Sequence, residues 1–245
     1  MILARSLLFH ALYCIWAFLM SFAFLPSLIL PFWASRFIGW FWTASVFGLL
    51  KATTGVGHRI EGQENIPDGP VIFASKHQST WETMVFPYLV KDPVTILKRE
   101  LFLIPFYGWY VKKYGCIGID RSSGASALRN LLREARTKVA AGRPLIVYPE
   151  GTRAPPGETK RFQIGVAALY QDLNIPVVPV ALNSGHFWPR RRLIRWPGTI
   201  TLRFLPPIPP GLNRRAFMER LEGDIKTAQA ELDAMAIRSL NSPAD

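Results

Sequence analysis

The chain has 245 residues, of which 49% are hydrophobic, so it can bury a core and is not an intrinsically disordered sequence. Lys and Arg outnumber Asp and Glu by 29 to 17, which predicts an anionic partner: nucleic acid, a charged membrane surface or a phosphorylated substrate. The two cysteines, Cys14 and Cys116, form neither a metal-binding pair nor a disulfide framework, which excludes a disulfide-rich secreted domain and favours a reducing compartment.

Two long stretches without charged side chains begin the chain, residues 6–35 and 37–50, and only Arg36 separates them. The first stretch is long enough to cross a lipid bilayer. It is far longer than the apolar region of a secretory signal peptide, so we interpret it as an uncleaved membrane anchor. A buried pair of soluble helices is the alternative, although such helices rarely lack a polar face.

Pro26 and Pro31 interrupt the first stretch, which is therefore either one kinked spanning helix or the first arm of a hairpin that enters a single leaflet. Hydropathy fits both alternatives. A hairpin leaves Arg5 and Lys51 on the same side of the membrane, in agreement with the positive-inside rule. We therefore predict a membrane-anchoring helical hairpin at residues 1–52, with the rest of the chain on the cytoplasmic side of the inner membrane.

The pattern changes after the hairpin. Residues 53–70 are polar and contain several glycines, which predicts a connection with short extended pieces. Beyond it, short apolar runs alternate with helical patterns, which predicts an α/β domain at 53–245 whose mixed sheet is flanked by helices. The predicted strands cover residues 71–74, 94–97, 116–119, 145–148, 177–182 and 199–204, and the predicted helices cover 80–90, 125–141, 163–173 and 214–240.

A histidine and an acid follow the first of these strands, at His77 and Glu82. Ligand clefts form at strand ends in open α/β sheets, and a carboxylate can orient a histidine that acts as a base. Positions five apart point about 140° away from each other on a regular helix. We therefore expect His77 in the turn before the helix, where the two side chains can meet. A chance pair is the competing interpretation.

A second polar turn follows the predicted strand at 145–148. Gly151 permits a close approach of backbone to ligand, Thr152 offers a hydroxyl, and Arg153 presents a planar guanidinium suited to phosphate. Lys98 and Arg121 lie at two further strand ends. The three cationic side chains could converge on one anionic ligand, although an ordinary turn would have the same composition.

The order and spacing of these stretches resemble the successive motifs of the glycerophospholipid acyltransferases. Such a chain of motifs is far more specific than any single one. The resemblance extends over roughly residues 71–184, and the apolar amino-terminal segment agrees with it. The motifs that carry it lie at residues 77–82, 98–108, 115–121, 150–153 and 175–180.

The resemblance implies transfer of a fatty acyl group from acyl-CoA or acyl-ACP to the sn-2 hydroxyl of lysophosphatidic acid, giving phosphatidic acid. It also implies that no metal, cofactor or covalent acyl-enzyme takes part. His77 would be the general base and Glu82 would hold its imidazole. The acceptor would be bound by residues at the other strand ends: Glu150, Gly151, Thr152, Arg153, Lys98 and Arg121.

Two positions depart from the family pattern, since Lys76 replaces the usual Asn and Glu82 the usual Asp. Another lysolipid, such as lyso-ornithine lipid, is the alternative acceptor. A membrane-anchored esterase is less favoured because no Gly-x-Ser-x-Gly motif is present. A non-enzymatic binder of acidic lipid or nucleic acid is supported by charge alone. The expected partners are the two substrates, membrane lipids and, if it is the donor, acyl carrier protein, with no nucleic acid.

Two further segments are candidates for lipid contacts. Residues 101–110 are rich in apolar and aromatic side chains, which indicates either a slot for an acyl chain or plain core. Arg190, Arg191, Arg192 and Arg195 lie among aromatic residues and predict a patch for anionic headgroups, with a solvated basic loop as the alternative.

Overall fold

The central sheet of the computed structural model, which describes residues 1–120 and 123–241, has seven strands in the described part of the chain. In spatial order they are β1 (Val56–Glu61), β7 (Gly198–Phe204), β6 (Val177–Leu182), β2 (Ile72–Ser75), β5 (Leu145–Val147), β3 (Val94–Lys98) and β4 (Ile117–Ile119). Neighbours are parallel except for β6 and β7. The sheet is therefore mixed, as predicted.

The four helices predicted in the α/β part lie close to their predicted positions, whereas the helices at Tyr107–Tyr114 and Ser184–Phe187 were not predicted. In chain order, the helices are α1 (Ile2–Ala23), α2 (Phe32–Thr54), α3 (Trp81–Leu89), α4 (Tyr107–Tyr114), α5 (Gly124–Ala140), α6 (Ile164–Leu173), α7 (Ser184–Phe187) and α8 (Arg214–Asn241), with short 3-10 helices at Leu25–Leu28, Gln63–Asn65 and Arg99–Leu103.

Both faces of the sheet are covered. Along β2, Phe73 points into a core shared with α2 and α3, whereas Ile72 and Ala74 point into a core shared with α5, α6 and α8. This alternation is the period of an extended strand. Every residue of the central strands β2 and β6 is buried, in keeping with their continuous apolar sequences.

The amino-terminal segment folds as the predicted helical hairpin and not as one kinked helix. Nε of Arg5 donates to the carbonyl oxygen of Thr53 at 2.7 Å, and Nε1 of Trp16 donates to Oγ of Ser45 at 2.8 Å, so α1 and α2 are antiparallel. Pro26 lies at the start of the short helix between them, where its missing N–H interrupts no helical hydrogen bond.

The hairpin is joined to the α/β part by an extensive apolar contact. Val46, Phe47 and Leu50 of α2 are buried in the core next to α3, and Phe47 stacks on Trp81 with ring centroids 5.2 Å apart. The predicted boundary between residues 52 and 53 falls inside α2, which ends at Thr54. Among the described residues, α1 alone is long and apolar enough to cross a membrane.

The segment 53–70 contains the predicted extended structure as the six-residue strand β1, whose place in the sheet was not predicted. It pairs in parallel with β7 from Val56 opposite Gly198 to Glu61 opposite Arg203. As an edge strand it is only partly buried, so its sequence lacks the apolar run that marks the central strands. Its partner, more than 100 residues away in sequence, defines it as a strand.

Candidate active site

His77 and Glu82 meet at the end of β2. His77 lies in the loop before α3, as expected, and Glu82 is the second residue of α3. Nδ1 of His77 is 2.9 Å from Oε1 of Glu82. The imidazole is 13% exposed, whereas the Glu82 side chain is fully buried. The sequence spacing therefore places a partly accessible histidine on an inaccessible carboxylate.

The Glu82 carboxylate accepts hydrogen bonds at both oxygens. Oε1 accepts the backbone N–H groups of Gln78 and Ser79 at 2.6 and 2.5 Å, and Oε2 accepts the hydroxyl of Ser184 at 2.8 Å. Burial by itself would raise the pKa of Glu82, but the hydrogen bond and charge of His77, together with the bonds from Ser184 and Ser79, outweigh burial and lower that pKa. The carboxylate is therefore held ionised.

An ionised carboxylate can only accept, so Nδ1 of His77 carries the hydrogen and Nε2 is left to take a proton. The ring is also fixed from its face by Tyr148, which stacks on it with centroids 4.2 Å apart. The Tyr148 hydroxyl donates to the backbone carbonyl of Glu82 at 3.0 Å, and burial raises the pKa of Tyr148, which stays neutral. The sequence analysis missed Tyr148 and Ser184, because neither stands within the His77 motif.

The second predicted turn lies beside His77. Gly151, Thr152 and Arg153 line the same cavity as His77. Gly151 has a φ of 67°, the left-handed region that glycine enters freely. The N–H of Ala154 donates to the carbonyl oxygen of His77 at 2.8 Å. The structure thus brings together two motifs that are about 70 positions apart in sequence, as counted from the printed chain.

The side chain of Glu150 does not line this cavity, in contrast to its predicted contact with the acceptor. Glu150 is fully buried, and its Oε1 lies 2.5 Å from Nζ of Lys76. A buried carboxylate so close to an ammonium satisfies that ammonium and does not reach a ligand.

The remaining predicted cations have different positions. Lys98 is exposed and lines the cavity, whereas Arg121 lies outside the described residues. Arg190, predicted as a membrane contact, also lines the cavity. Arg195 corrects the predicted basic patch: it is 6% exposed, its guanidinium lies 4.9 Å from the Trp188 ring, and burial lowers its pKa to about 10. The other arginines of that patch are exposed.

The cavity that contains His77 has a volume of about 1200 Å³ and is largely apolar. One wall comes from the predicted aromatic segment, including Leu101, Phe106 and Tyr110. The opposite wall comes from the hairpin, including Tyr13 and Trp42. The hairpin wall was not predicted, because an apolar helix has the same sequence whether it faces lipid, core or cavity.

Chemically, the site combines a histidine oriented by an ionised carboxylate with cationic side chains in the lining of a largely apolar cavity. Such a site can remove a proton from a hydroxyl beside an anionic group while a hydrocarbon chain is buried.

Comparison with known proteins agrees with this chemistry. A family model described as "Acyltransferase" matches residues 57–183. The chain is 35% identical to a 1-acyl-sn-glycerol-3-phosphate acyltransferase of Pseudomonas aeruginosa, over 96% of this chain and 93% of that protein. It is 30% identical to a Chlamydomonas reinhardtii protein of the same description, over 85% of this chain and 64% of that protein.

A solved structure has the same fold. The crystal structure of the 1-acyl-sn-glycerophosphate (LPA) acyltransferase PlsC from Thermotoga maritima superposes with a TM-score of 0.76 and 26% identity, over 95% of this chain and 99% of that chain. The family model covers more than half of the chain, and the Pseudomonas relative matches almost all of it, which is sufficient to assign the family. The chain belongs to the acyltransferase family and is an O-acyltransferase of the 1-acylglycerol-3-phosphate type.

Proposed function

We propose that this enzyme transfers a fatty acyl group from an acyl thioester, acyl-CoA or acyl-ACP, to the sn-2 hydroxyl of lysophosphatidic acid, giving phosphatidic acid. The observation that carries the proposal is the placement of the His77–Glu82 pair in an apolar cavity whose lining also contains Lys98 and Arg153. The relatives named above support the same acceptor.

In the proposed reaction, Nε2 of His77 takes the proton of the acceptor hydroxyl as its oxygen attacks the thioester carbonyl. Glu82 stabilises the resulting imidazolium through Nδ1–H. The tetrahedral intermediate collapses, its carbon–sulfur bond breaks, and the leaving thiolate takes the proton back from His77. The base contributes roughly 10²–10⁴-fold to the rate. The acyl thioester is a co-substrate, and the steps call for no metal or other cofactor.

The acceptor phosphate is proposed to bind at the mouth of the cavity. Arg153 offers two parallel N–H donors and Lys98 a point charge, a combination suited to a phosphate dianion. Gly151 and Thr152 would contribute a close backbone approach and a hydroxyl. Arg121 remains a proposed contributor from outside the described residues. The acyl chain would occupy the apolar part of the cavity between the hairpin and the aromatic segment.

We further propose that the hairpin lies in one leaflet of the inner membrane, with the α/β part on the cytoplasmic side. Leu8, Ile15 and Phe18 of α1 are exposed, which suits lipid contact. The Arg5–Thr53 hydrogen bond supports the same-side arrangement of the hairpin ends. Cysteines introduced beside Arg5 and beside Lys51 should both react with a membrane-impermeant reagent on the cytoplasmic side. Labelling from opposite sides would contradict the arrangement.

The function is tested by product analysis. The purified enzyme is incubated in mixed micelles with lysophosphatidate and labelled acyl-CoA or acyl-ACP, and His77→Ala serves as the inactive control. Phosphatidic acid is the expected product, and the faster carrier identifies the donor. Free fatty acid as the main product would indicate an esterase. Preferential acylation of lyso-ornithine lipid would change the acceptor, and no conversion of either lipid would leave a non-enzymatic binder.

A further inference from the structure

The residue before the general base is a buried lysine, and its partner is the residue before the acceptor-binding turn. Lys76 is 2% exposed, and its Nζ lies 2.5 Å from Oε1 of the fully buried Glu150. The same ammonium donates to the backbone carbonyl of Glu158 at 3.0 Å. The pair therefore joins the two strand ends that carry His77 and Arg153.

Beyond the sheet, these two strand ends are joined by the backbone hydrogen bond from the N–H of Ala154 to the carbonyl oxygen of His77. The last register pair between β2 and β5 joins Ala74 to Val147. Beyond it, the N–H of Lys76 donates to the carbonyl oxygen of Val180 on β6 at 2.9 Å. The position of the turn relative to the base therefore depends on contacts that cross from one loop to the other, and the Lys76–Glu150 ion pair is the charged one among them.

The ion pair also organises the loop that follows the turn. Oε1 of Glu150 accepts the N–H of Lys160 at 3.2 Å, while Nζ of Lys76 binds the carbonyl of Glu158. Lys76 also borders a small cavity of about 300 Å³ beside α8. The two polar contacts of the ion pair therefore connect it to the loop at residues 158–160.

A buried ion pair is weak evidence for stability, because the cost of removing two charges from water can exceed their attraction. We propose that the Lys76–Glu150 pair instead acts as a positioning device, which sets the distance between the His77 imidazole and the acceptor-binding turn of Gly151 to Arg153. This inference rests on the proposed transfer to lysophosphatidate. Lys76 touches no reacting atom and is a positioning residue.

The decisive variant is the double substitution Lys76→Met/Glu150→Leu, which replaces both charges with apolar side chains of similar length. A neutral pair of this kind should fold, since no buried charge is left without a partner. Without the ion pair, the turn is no longer held at its distance from His77. We expect KM for lysophosphatidate to rise about tenfold or more, with a smaller change in kcat, because the displaced turn binds the acceptor phosphate less well in the ground state and the transition state alike.

The matched control is Arg136→Met/Asp172→Leu, which removes a more exposed ion pair between α5 and α6, with Nε of Arg136 2.8 Å from Oδ2 of Asp172. Thermal unfolding, KM and kcat are measured for both double variants. A folded Lys76→Met/Glu150→Leu enzyme with wild-type KM would overturn the inference, as would a loss confined to kcat. A wild-type enzyme that does not acylate lysophosphatidate would instead overturn the proposed function.

A milder variant keeps the test decisive if the double variant does not fold. Glu150→Asp retains both charges and shortens the connection by one methylene. Under the inference, this enzyme folds and shows a KM for lysophosphatidate raised several-fold at a nearly unchanged kcat. An unchanged KM in the folded Glu150→Asp enzyme would show that the length of the connection does not control acceptor binding.

Discussion

In the described part of the chain, two histidine–carboxylate pairs have the same separation and very different surroundings. Nδ1 of His77 lies 2.9 Å from Glu82, and Nε2 of His186 lies 2.9 Å from Asp233. Both imidazoles are slightly accessible, at 13% and 12%. Glu82 is fully enclosed, whereas Asp233 is 15% exposed and shares its Oδ1 with the side-chain amide of Gln229.

A short distance between an imidazole nitrogen and a carboxylate oxygen is therefore not enough to identify a catalytic pair. His77 lines the large cavity and binds Glu82 through Nδ1, whereas His186 uses Nε2 to bind Asp233 on α8 and is absent from the cavity lining. The first pair orients a base toward a ligand site. The second ties α7 to α8.

Removal of the His77–Glu82 interaction should have the largest effect on kcat. Glu82→Gln should lower kcat roughly 10²-fold or more, comparable with His77→Ala, because the neutral amide no longer stabilises the imidazolium. Both variants should remain folded at the assay temperature, although Glu82→Gln should be destabilised because the ionised carboxylate contributes stability near neutral pH. A Glu82→Gln enzyme with wild-type turnover beside an inactive His77→Ala enzyme would show that another group orients the base.

The next effect concerns Arg153, the proposed ligand of the acceptor phosphate, which lines the same cavity as His77. Arg153→Ala should raise KM for lysophosphatidate about tenfold to 100-fold, since hydrogen bonds to charged groups contribute roughly 1.5–3 kcal/mol. Saturation kinetics in both substrates provide the measurement, and Arg192→Ala, an exposed arginine outside the cavity lining, is the control. A changed KM for the thioester alone would move Arg153 to the donor site.

A third variant sharpens the difference in how the two carboxylates are held. Ser184→Ala removes the donor to Oε2 of Glu82 and should destabilise the protein by about 1–3 kcal/mol near neutral pH. The lowered pKa of Glu82 means that its ionised form contributes stability above the ordinary value of 4.5, and that this contribution disappears as the pH falls through the lowered value.

Ser184→Ala should raise that folded pKa toward 4.5, so acid unfolding should begin at a higher pH than in the wild type. Urea unfolding across the acidic range measures this shift. Ser126→Ala is the control, because its hydroxyl donates an exposed hydrogen bond to the carbonyl oxygen of Ser123. Identical acid-unfolding profiles for Ser184→Ala and the wild type would show that Ser184 does not hold Glu82 ionised.

The smallest effect on turnover belongs to the second pair. His186→Ala should cost about 1 kcal/mol of stability and leave kcat and both KM values close to those of the wild type. Denaturant unfolding and steady-state kinetics on the same preparation give both numbers. A fall in kcat as large as that of His77→Ala would contradict a purely structural role and would assign His186 to the reaction.

The features that could be predicted from sequence are those set by residues close to one another along the chain. The strand at 177–182 was predicted with its observed bounds, because six consecutive buried positions leave a continuous apolar run. His77 was expected in the turn before α3, since residues five apart diverge on a helix and can meet only before it begins. The charge-free stretches predicted membrane-length apolar helices, and the charges of Arg5 and Lys51 favoured the observed hairpin over one kinked helix.

Contacts between residues far apart in sequence could be identified only in the folded structure. Glu150 turns away from the ligand toward Lys76, 74 positions earlier, and Ser184 reaches Glu82 across 102 positions. Arg195, expected on the surface, is buried against Trp188. Local sequence sets period, turns and chain direction, whereas these contacts depend on how the sheet and helices pack. A side chain that faces a ligand or solvent and one that is buried against a distant partner have the same sequence pattern, so only the packing distinguishes them.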